Sequence, residues 1–270
     1  IRLSLVGSEM CIRDSIHTKK GMVKAVFGWP AIHTRTAGTE KSPKLDNIFL
    51  DCGCASKEEV EELGIHVGCV VTYEDEFMIL NKNFYVGRAL DNRIGGFMIA
   101  EVARLLKENK VKLPFGLYIT NSVQEEVGLK GAQMIVDTIR PDVAIVTDVC
   151  HDTGTPMINK IKQGDTKCGA GPVLTYGPAV QNNLLELIIT AAEKNKIPFQ
   201  RAAASRATGT DTDAFAYSTG GVASSLISLA LRYMHTTVES VHKDDVENVI
   251  RLIYESLQKI KNNHDFGYLK

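Results

Sequence analysis

The sequence lacks a long apolar run, and it has no excess of charge of either sign. No window approaches the roughly 18 uninterrupted apolar residues that a membrane-spanning helix needs. The 31 basic and 32 acidic residues nearly cancel, leaving a formal net charge of -1. This balance provides no general electrostatic attraction to nucleic acid or to an anionic membrane. We therefore expect a globular protein that binds neither.

Cysteine is also sparse, with six residues in a chain of 270 and no spacing typical of a disulfide scaffold. Cys52 and Cys54 share one face of a predicted strand, but two thiols without a second pair are a weak metal signal, so we interpret them as buried or incidental. Nothing near the start combines a basic segment, an apolar segment and a small-residue cleavage site. We therefore expect a cytoplasmic location, where thiols stay reduced.

The start of the chain does not have the character of a natural protein. The stretch LVGSEMCIRDS, residues 5–15, resembles the translation of an adapter used to prepare sequencing libraries. We expect residues 1–15 to be a non-native scar, which is excluded from fold reasoning. The alternative is an ordinary strand and turn. If the expectation holds, the natural protein has further residues before Ile16.

Two regions of different pattern follow. Residues 16–84 alternate short β-rich pieces with turns and contain one acidic helix, opened by Ser56 with Glu59 at the capping-box position. Residues 85–270 alternate apolar strands with amphipathic helices. The pattern predicts a small β-rich domain and an α/β sandwich around a mainly parallel sheet.

Acidic residues and a histidine accompany the predicted elements of the second region. Glu125 and Glu126 follow the apolar stretch FGLYIT, Asp148 closes DVAIVTD, and His235 follows SSLISLAL. Asp91 begins a predicted helix, where backbone N–H groups and the helix dipole favour a carboxylate. Because ligands in open α/β sheets bind beyond the carboxyl ends of the strands, we expect these side chains to share one crevice.

Converging carboxylates repel one another unless cations are present. A pair of divalent metal ions removes this conflict, since Asp, Glu and His are suitable ligands. Neighbouring side chains of an extended chain point to opposite sides, so Glu125 and Glu126 can take different roles. Each residue alone also fits a structural role: the glutamates a solvated loop, Asp91 a helix cap, and Asp148 and His235 local hydrogen bonds.

Six motifs occur in a characteristic order from residue 20 onward: VFGWPAIH, DCGCASKEEVEELGIHVG, GRALDNRIGG, TNSVQEEVGLKGA, VTDVCHDTGTP and LRYMHTTVESV. Together they resemble the glutamyl and tetrahedral aminopeptidases, a family of cytoplasmic dinuclear metallopeptidases. The resemblance implies a three-layer α/β fold of the zinc-peptidase type, two divalent ions per subunit, zinc or cobalt, and peptide substrates. It also implies that the β-rich domain is an insertion that serves assembly, with dimers building a dodecamer.

The resemblance further implies a role for each candidate residue. Asp91 is expected to bridge both metal ions, and Glu126 and His235 to complete one site. Asp148 is expected to bind the other ion, and Glu125 to be the general base.

The resemblance also implies a His-x-Asp motif ahead of the β-rich region, whose histidine binds the first metal ion. No such motif occurs there, and His17 and His33 do not substitute for it. We therefore expect the first site to be one ligand short and this chain to be impaired as an enzyme.

The expected activity is that of a metal-dependent aminopeptidase. A metal-activated water attacks the peptide carbonyl, and Glu125 transfers the proton to the leaving amine. One alternative is a glycoside hydrolase, although that chemistry needs two carboxyl groups about 5 to 9 Å apart across one bond. Another is a non-catalytic assembly or binding protein. The sequence assigns no role to His151, Asp211 or Asp213.

Overall fold

The computed structural model describes residues 13–28, 49–74, 76–218 and 220–267. The chain forms two compact units, Ile1–Glu76 and Phe77–Lys270. The division falls before the predicted limit at residue 84, because the hairpin that follows Phe77 pairs with the sheet of the larger unit. Most of the expected scar, and His33, lie outside the described residues.

The smaller unit contains a four-stranded antiparallel sheet of spatial order β3-β2-β1-β4. Its helix α1 is capped by the predicted Ser56, whose Oγ accepts the Glu59 N–H over 3.3 Å. The Glu59 carboxylate accepts the Ala55 N–H over 2.8 Å, one residue before the Ser56 N–H that a capping box uses. The described cysteines are free thiols. The elements are β1 Arg13–Thr18, β2 Gly21–Gly28, β3 Phe49–Asp51, α1 Lys57–Glu62 and β4 Val70–Tyr73.

This sheet contains a buried carboxylate, that of Asp14, because residues 13–15 of the expected scar form the first part of β1. Asp14 has no exposed surface, and neither of its oxygens has a hydrogen-bond partner among the described residues. Burial raises the pKa of Asp14 to about 6, and the nearby Phe27 N–H offsets this only in part. Because an unfolded Asp has a pKa of about 4, the protonated form favours folding, and stability falls as the pH rises from about 4 through 6.

We therefore expect Asp14→Asn to increase the free energy of unfolding by about 1 to 2 kcal/mol at pH 8, since it removes a buried charge. The gain should shrink toward zero as the pH falls to about 4. Urea unfolding followed by circular dichroism measures both values. Glu58→Gln, which changes an exposed carboxylate of α1, is the control. A gain that does not depend on pH would contradict this account of Asp14.

The larger unit is built around a seven-stranded mixed sheet of order β5-β6-β11-β10-β8-β9, with β7 paired to β10. The pairs β7–β10 and β8–β9 are parallel, and the others are antiparallel. The α/β class is confirmed, but the sheet is mixed rather than mainly parallel. Its strands are β5 Met78–Leu80, β6 Phe84–Gly87, β7 Val143–His151, β8 Val173–Tyr176, β9 Gln200–Ala203, β10 Ala223–Arg232 and β11 Glu239–His242.

Helices cover both faces of this sheet and give three layers. Along β7, Ile145 and Val149 belong to a core that includes α2, α5 and α7, whereas Ala144 belongs to a second core with α3 and α6. None of the helices in the described part of the chain is long and apolar enough to cross a membrane. The helices are α2 Leu90–Glu108, α3 Lys130–Ile139, α4 Lys160–Gln163, α5 Asn182–Lys194, α6 Asp211–Ala216 and α7 Lys243–Leu257.

The stretch FGLYIT, residues 115–120, is not the buried strand that its apolar pattern predicts. It pairs with no strand in the described ranges, and Leu117, Tyr118 and Ile119 are 37%, 68% and 42% exposed. Together with β7 it lines a cavity of about 1110 Å³. A strand forms by hydrogen bonding to a neighbour, and the only described partner of β7 is β10. The β-forming sequence therefore remains unpaired.

Candidate metal centre and active site

An irregular first turn of α2 positions Asp91. The capping residue Ala89 has a left-handed backbone with φ 54°, and Asp91 and Asn92 depart from helical dihedral angles. Asn92 fixes this turn: its Oδ1 accepts the Gly95 N–H and its Nδ2 donates to the Thr147 carbonyl, each over 2.9 Å. Gly95 is required because a Cβ there would lie 2.4 Å from Asn92 Oδ1. The Asp91 side chain is 11% exposed.

Three of the predicted ligands come together. His235 follows β10, and its Nε2 lies 3.0 Å from Asp91 Oδ2 and 3.3 Å from Glu126 Oε1. One ligand atom from each of the three residues lies within 4.8 Å of the other two. The His235 and Glu126 side chains are each 54% exposed. The cluster therefore opens to solvent at Glu126 and His235, while Asp91 is largely enclosed.

Asp148 lies within β7 rather than at its end, because the strand continues to His151. It is buried and accepts the Val149 N–H over 2.7 Å. It is not part of the three-residue cluster. Burial raises the pKa of Asp148 to about 8, and the charges of Asp91 and Glu125 add to the increase. Asp148 is therefore near enough to interact electrostatically with the other acidic groups.

Glu125 and Glu126 lie in a 3₁₀ turn, Glu125–Val127, and not in extended chain. The prediction that the two side chains diverge rests on an extended backbone, and that premise is wrong because the backbone is helical here. Their environments nevertheless differ, since Glu126 is exposed beside His235 while Glu125 is half-buried. Burial raises the pKa of Glu125 to about 7, with Glu126, Asp211 and Asp91 adding to the increase and His235 opposing it.

Asp211 belongs to the same crevice, although no role could be assigned to it from the sequence. It begins α6, whose N-cap is Thr210, and accepts a hydrogen bond from Ser122 Oγ. Its Oδ1 has no hydrogen-bond partner in the described ranges, and burial raises the pKa of Asp211. The charge of Asp211 raises the pKa of Glu125 and Asp148 in turn.

The other two unassigned residues have different surroundings. Asp213 accepts the backbone N–H groups of Thr208 and Gly209, so it stabilises the loop before α6. His151 is exposed at the end of β7.

The electrostatics of the crevice fit a divalent cation. Burial raises the pKa of Asp91 to about 6, with Glu126 and Glu239 adding to the increase. Asp91, Glu125, Asp148 and Asp211 all have raised pKa values, so their ionised forms are disfavoured without a positive charge. A divalent ion stabilises these ionised forms, and carboxylate and imidazole are suitable ligands for zinc and related metals.

One His-x-Asp triplet occurs near the end of the sequence, at His242 to Asp244, and it forms a helix cap. His242 Nδ1 accepts the Asp244 N–H over 3.3 Å at the start of α7. His242, rather than Asp244 or Glu247, is therefore the N-cap of α7. The cluster of Asp91, Glu126 and His235 does not include it.

A three-layer α/β unit with clustered carboxylates and a histidine defines a metallohydrolase type of site. The chain belongs to the M42 glutamyl aminopeptidase family, whose model matches residues 7–252. It is 34% identical over 246 residues to the lysyl aminopeptidase of Pyrococcus furiosus, an alignment covering 90% of this chain and 69% of that protein.

Solved structures of aminopeptidases are also similar to this chain. A TET aminopeptidase from a marine sediment archaeon of the Thaumarchaeota is 31% identical with a TM-score of 0.86, covering 94% of this chain and 72% of that one. The TET1 peptidase of Pyrococcus horikoshii, which can assemble into a tetrahedron or a large octahedral shell, is 27% identical with a TM-score of 0.78 and coverages of 91% and 71%.

These relatives establish the class of reaction. The protein is a metal-dependent aminopeptidase of the M42 family, as the sequence motifs predict. The alternatives of a glycoside hydrolase and of a non-catalytic assembly protein are not favoured, because the family and these relatives are named as aminopeptidases.

Proposed function

We propose that peptide hydrolysis takes place in the crevice formed by Asp91, Glu125, Glu126, Asp148 and His235. The observation that carries this proposal is the approach of the His235 ring to within 3.3 Å of two carboxylates. Two acidic groups and an imidazole that share one solvent-facing point form a ligand set suited to a divalent ion.

Asp91, Glu126 and His235 would hold one divalent ion. Asp91 would also contribute to a second ion with Asp148, so that the complete site holds two, with zinc or cobalt as the proposed metals. When bound, such ions polarise the scissile carbonyl and lower the pKa of water. The position of Asp148 beside the cluster and its electrostatic coupling to Asp91 support this division of ligands.

Glu125 is the residue best placed to move protons. It is half-buried beside the cluster without belonging to it, and its pKa of about 7 lies near the working pH of a general base. A bound cation lowers this pKa, because it stabilises the carboxylate. Glu125 would accept a proton from water and deliver it to the amine that leaves when the peptide bond breaks.

Peptides with a free N-terminal amine are the proposed substrates, and the cytoplasm is the proposed location. Homo-oligomers are the proposed form of the protein, with dimers joined through the smaller unit and building a dodecamer. Support comes from the TET1 peptidase of Pyrococcus horikoshii, which assembles into closed shells.

A comparison of free and blocked peptides tests the proposed reaction. We expect the cobalt-loaded protein, completed with the N-terminal segment of the Pyrococcus furiosus relative, to release the first residue of an unmodified pentapeptide and to leave its N-acetylated copy intact. Mass spectrometry of the products measures both, and a chromogenic β-glucoside serves as the control for glycosidase activity. Cleavage of the acetylated peptide at the same rate would contradict an aminopeptidase reaction at this site.

A further inference from the structure

We infer that Glu239 is a positioning residue that holds two of the proposed metal ligands at once. Glu239 begins β11, and it is 2% exposed. Its Oε2 accepts the backbone N–H of Asp91 over 2.9 Å, and its Oε1 accepts the backbone N–H of His235 over 2.7 Å. One carboxylate therefore joins the first turn of α2 to the turn after β10. This inference rests on the metal site proposed above.

Both carboxyl oxygens of Glu239 are used, since each accepts a backbone N–H. A buried polar side chain is costly unless its hydrogen bonds are satisfied, and these two bonds meet that requirement. The two bonds also fix the backbone from which the Asp91 and His235 side chains extend.

The contacts of Glu239 differ from those of an ordinary structural carboxylate. Asp245, which is also fully buried, makes a similar double contact by accepting the N–H groups of Gly169 over 2.6 Å and Gly171 over 2.7 Å. That pair of bonds joins α7 to a loop that carries no proposed ligand. The two carboxylates therefore share burial and bonding but differ in what they hold, which makes Asp245 a matched control.

Cobalt binding by the whole chain tests the inference. In Glu239→Gln one of the two bonds is lost, because the amide nitrogen cannot accept an N–H. Loss of an interaction that orients metal ligands lowers affinity about 10- to 100-fold. We expect that decrease in a Co²⁺ titration, together with a changed visible absorption spectrum of the bound ion. Asp245→Asn should reduce thermal stability but leave both the affinity and the spectrum unchanged.

His235→Ala separates the inference from the proposed site. If His235→Ala binds Co²⁺ like the parent chain, the proposed metal site is wrong. If His235→Ala loses binding while Glu239→Gln keeps the parent affinity and spectrum, only the role of Glu239 is overturned. An equal loss of affinity in Asp245→Asn would also overturn it, because the effect would then be one of general stability.

Glu239→Asp keeps the carboxyl group and shortens the side chain. It replaces Glu239→Gln in this experiment if the glutamine variant does not fold. We expect it to bind Co²⁺ less tightly than the parent chain. Parent affinity and an unchanged spectrum in a folded Glu239→Asp protein would overturn the inference.

Discussion

Replacing Glu125 by glutamine, in this chain completed with an N-terminal segment of the family, is expected to reduce turnover by two to four orders of magnitude while bound metal stays nearly constant. The reduction is the usual contribution of a general base, and an amide of the same shape cannot accept the proton. Metal is retained because Glu125 is not part of the cluster of Asp91, Glu126 and His235. The neighbouring change Glu126→Gln provides the contrast, since it is expected to lower metal content as well as turnover.

Turnover of an aminoacyl anilide and metal content by elemental analysis are measured on the same preparations. Turnover and metal content are measured for the 270-residue chain and for the same chain preceded by the N-terminal segment of the Pyrococcus furiosus relative. The pair of proteins also tests the expectation that a His-x-Asp motif is needed for activity. Loss of metal in Glu125→Gln would instead make Glu125 a ligand and would remove it from the role of base.

Replacing His235 by alanine is expected to cause a large loss of metal affinity. His235 supplies the only imidazole of the described cluster, and its Nε2 lies within 3.3 Å of both acidic partners. Residues that merely orient ligands contribute about 10- to 100-fold to affinity, so removal of a ligand should cost at least 100-fold. The His235 side chain is 54% exposed, so the fold should remain stable.

A titration with Co²⁺ measures the affinity, and thermal unfolding in the absence of metal checks the fold. His66→Ala is the matched control, because His66 is exposed in the smaller unit. Binding by His235→Ala that equals binding by the parent and by His66→Ala would rule out the cluster as the metal site.

The parts of the fold that follow from local patterns could be predicted from the sequence. The amphipathic helices predicted for the larger unit are confirmed in α2, where Met98, Val102 and Leu106 are buried, and Ser56 caps α1 as predicted. Helical periodicity and capping depend on residues a few positions apart, so the sequence displays them directly. Helical periodicity also places Phe97 on the apolar face of α2, but Phe97 is half exposed.

Features that depend on distant partners could not be predicted. The apolar stretch before Glu125 has the composition of a strand, but its state depends on whether a neighbour is available to pair with it. The hairpin β5–β6 belongs to the larger sheet because β6 pairs with β11, which lies far along the chain. The mixed direction of the sheet follows from the same long-range pairings.

In the candidate site, too, residues in local motifs could be predicted, whereas residues that act through distant partners could not. Residue type and order identified Asp91, Glu125, Glu126, Asp148 and His235 as candidates, since their motifs are local. Glu239 could not be identified, because its partners are backbone N–H groups that any residue supplies, and Asp91 lies 148 positions away.

Anomalous X-ray scattering from a crystal of the cobalt-loaded protein shows where the metal ion binds. We expect a peak at the cobalt absorption edge about 2.0 to 2.2 Å from a carboxylate oxygen of Asp91, a carboxylate oxygen of Glu126 and His235 Nε2. A fully loaded crystal whose cobalt peaks all lie away from these three residues would contradict it.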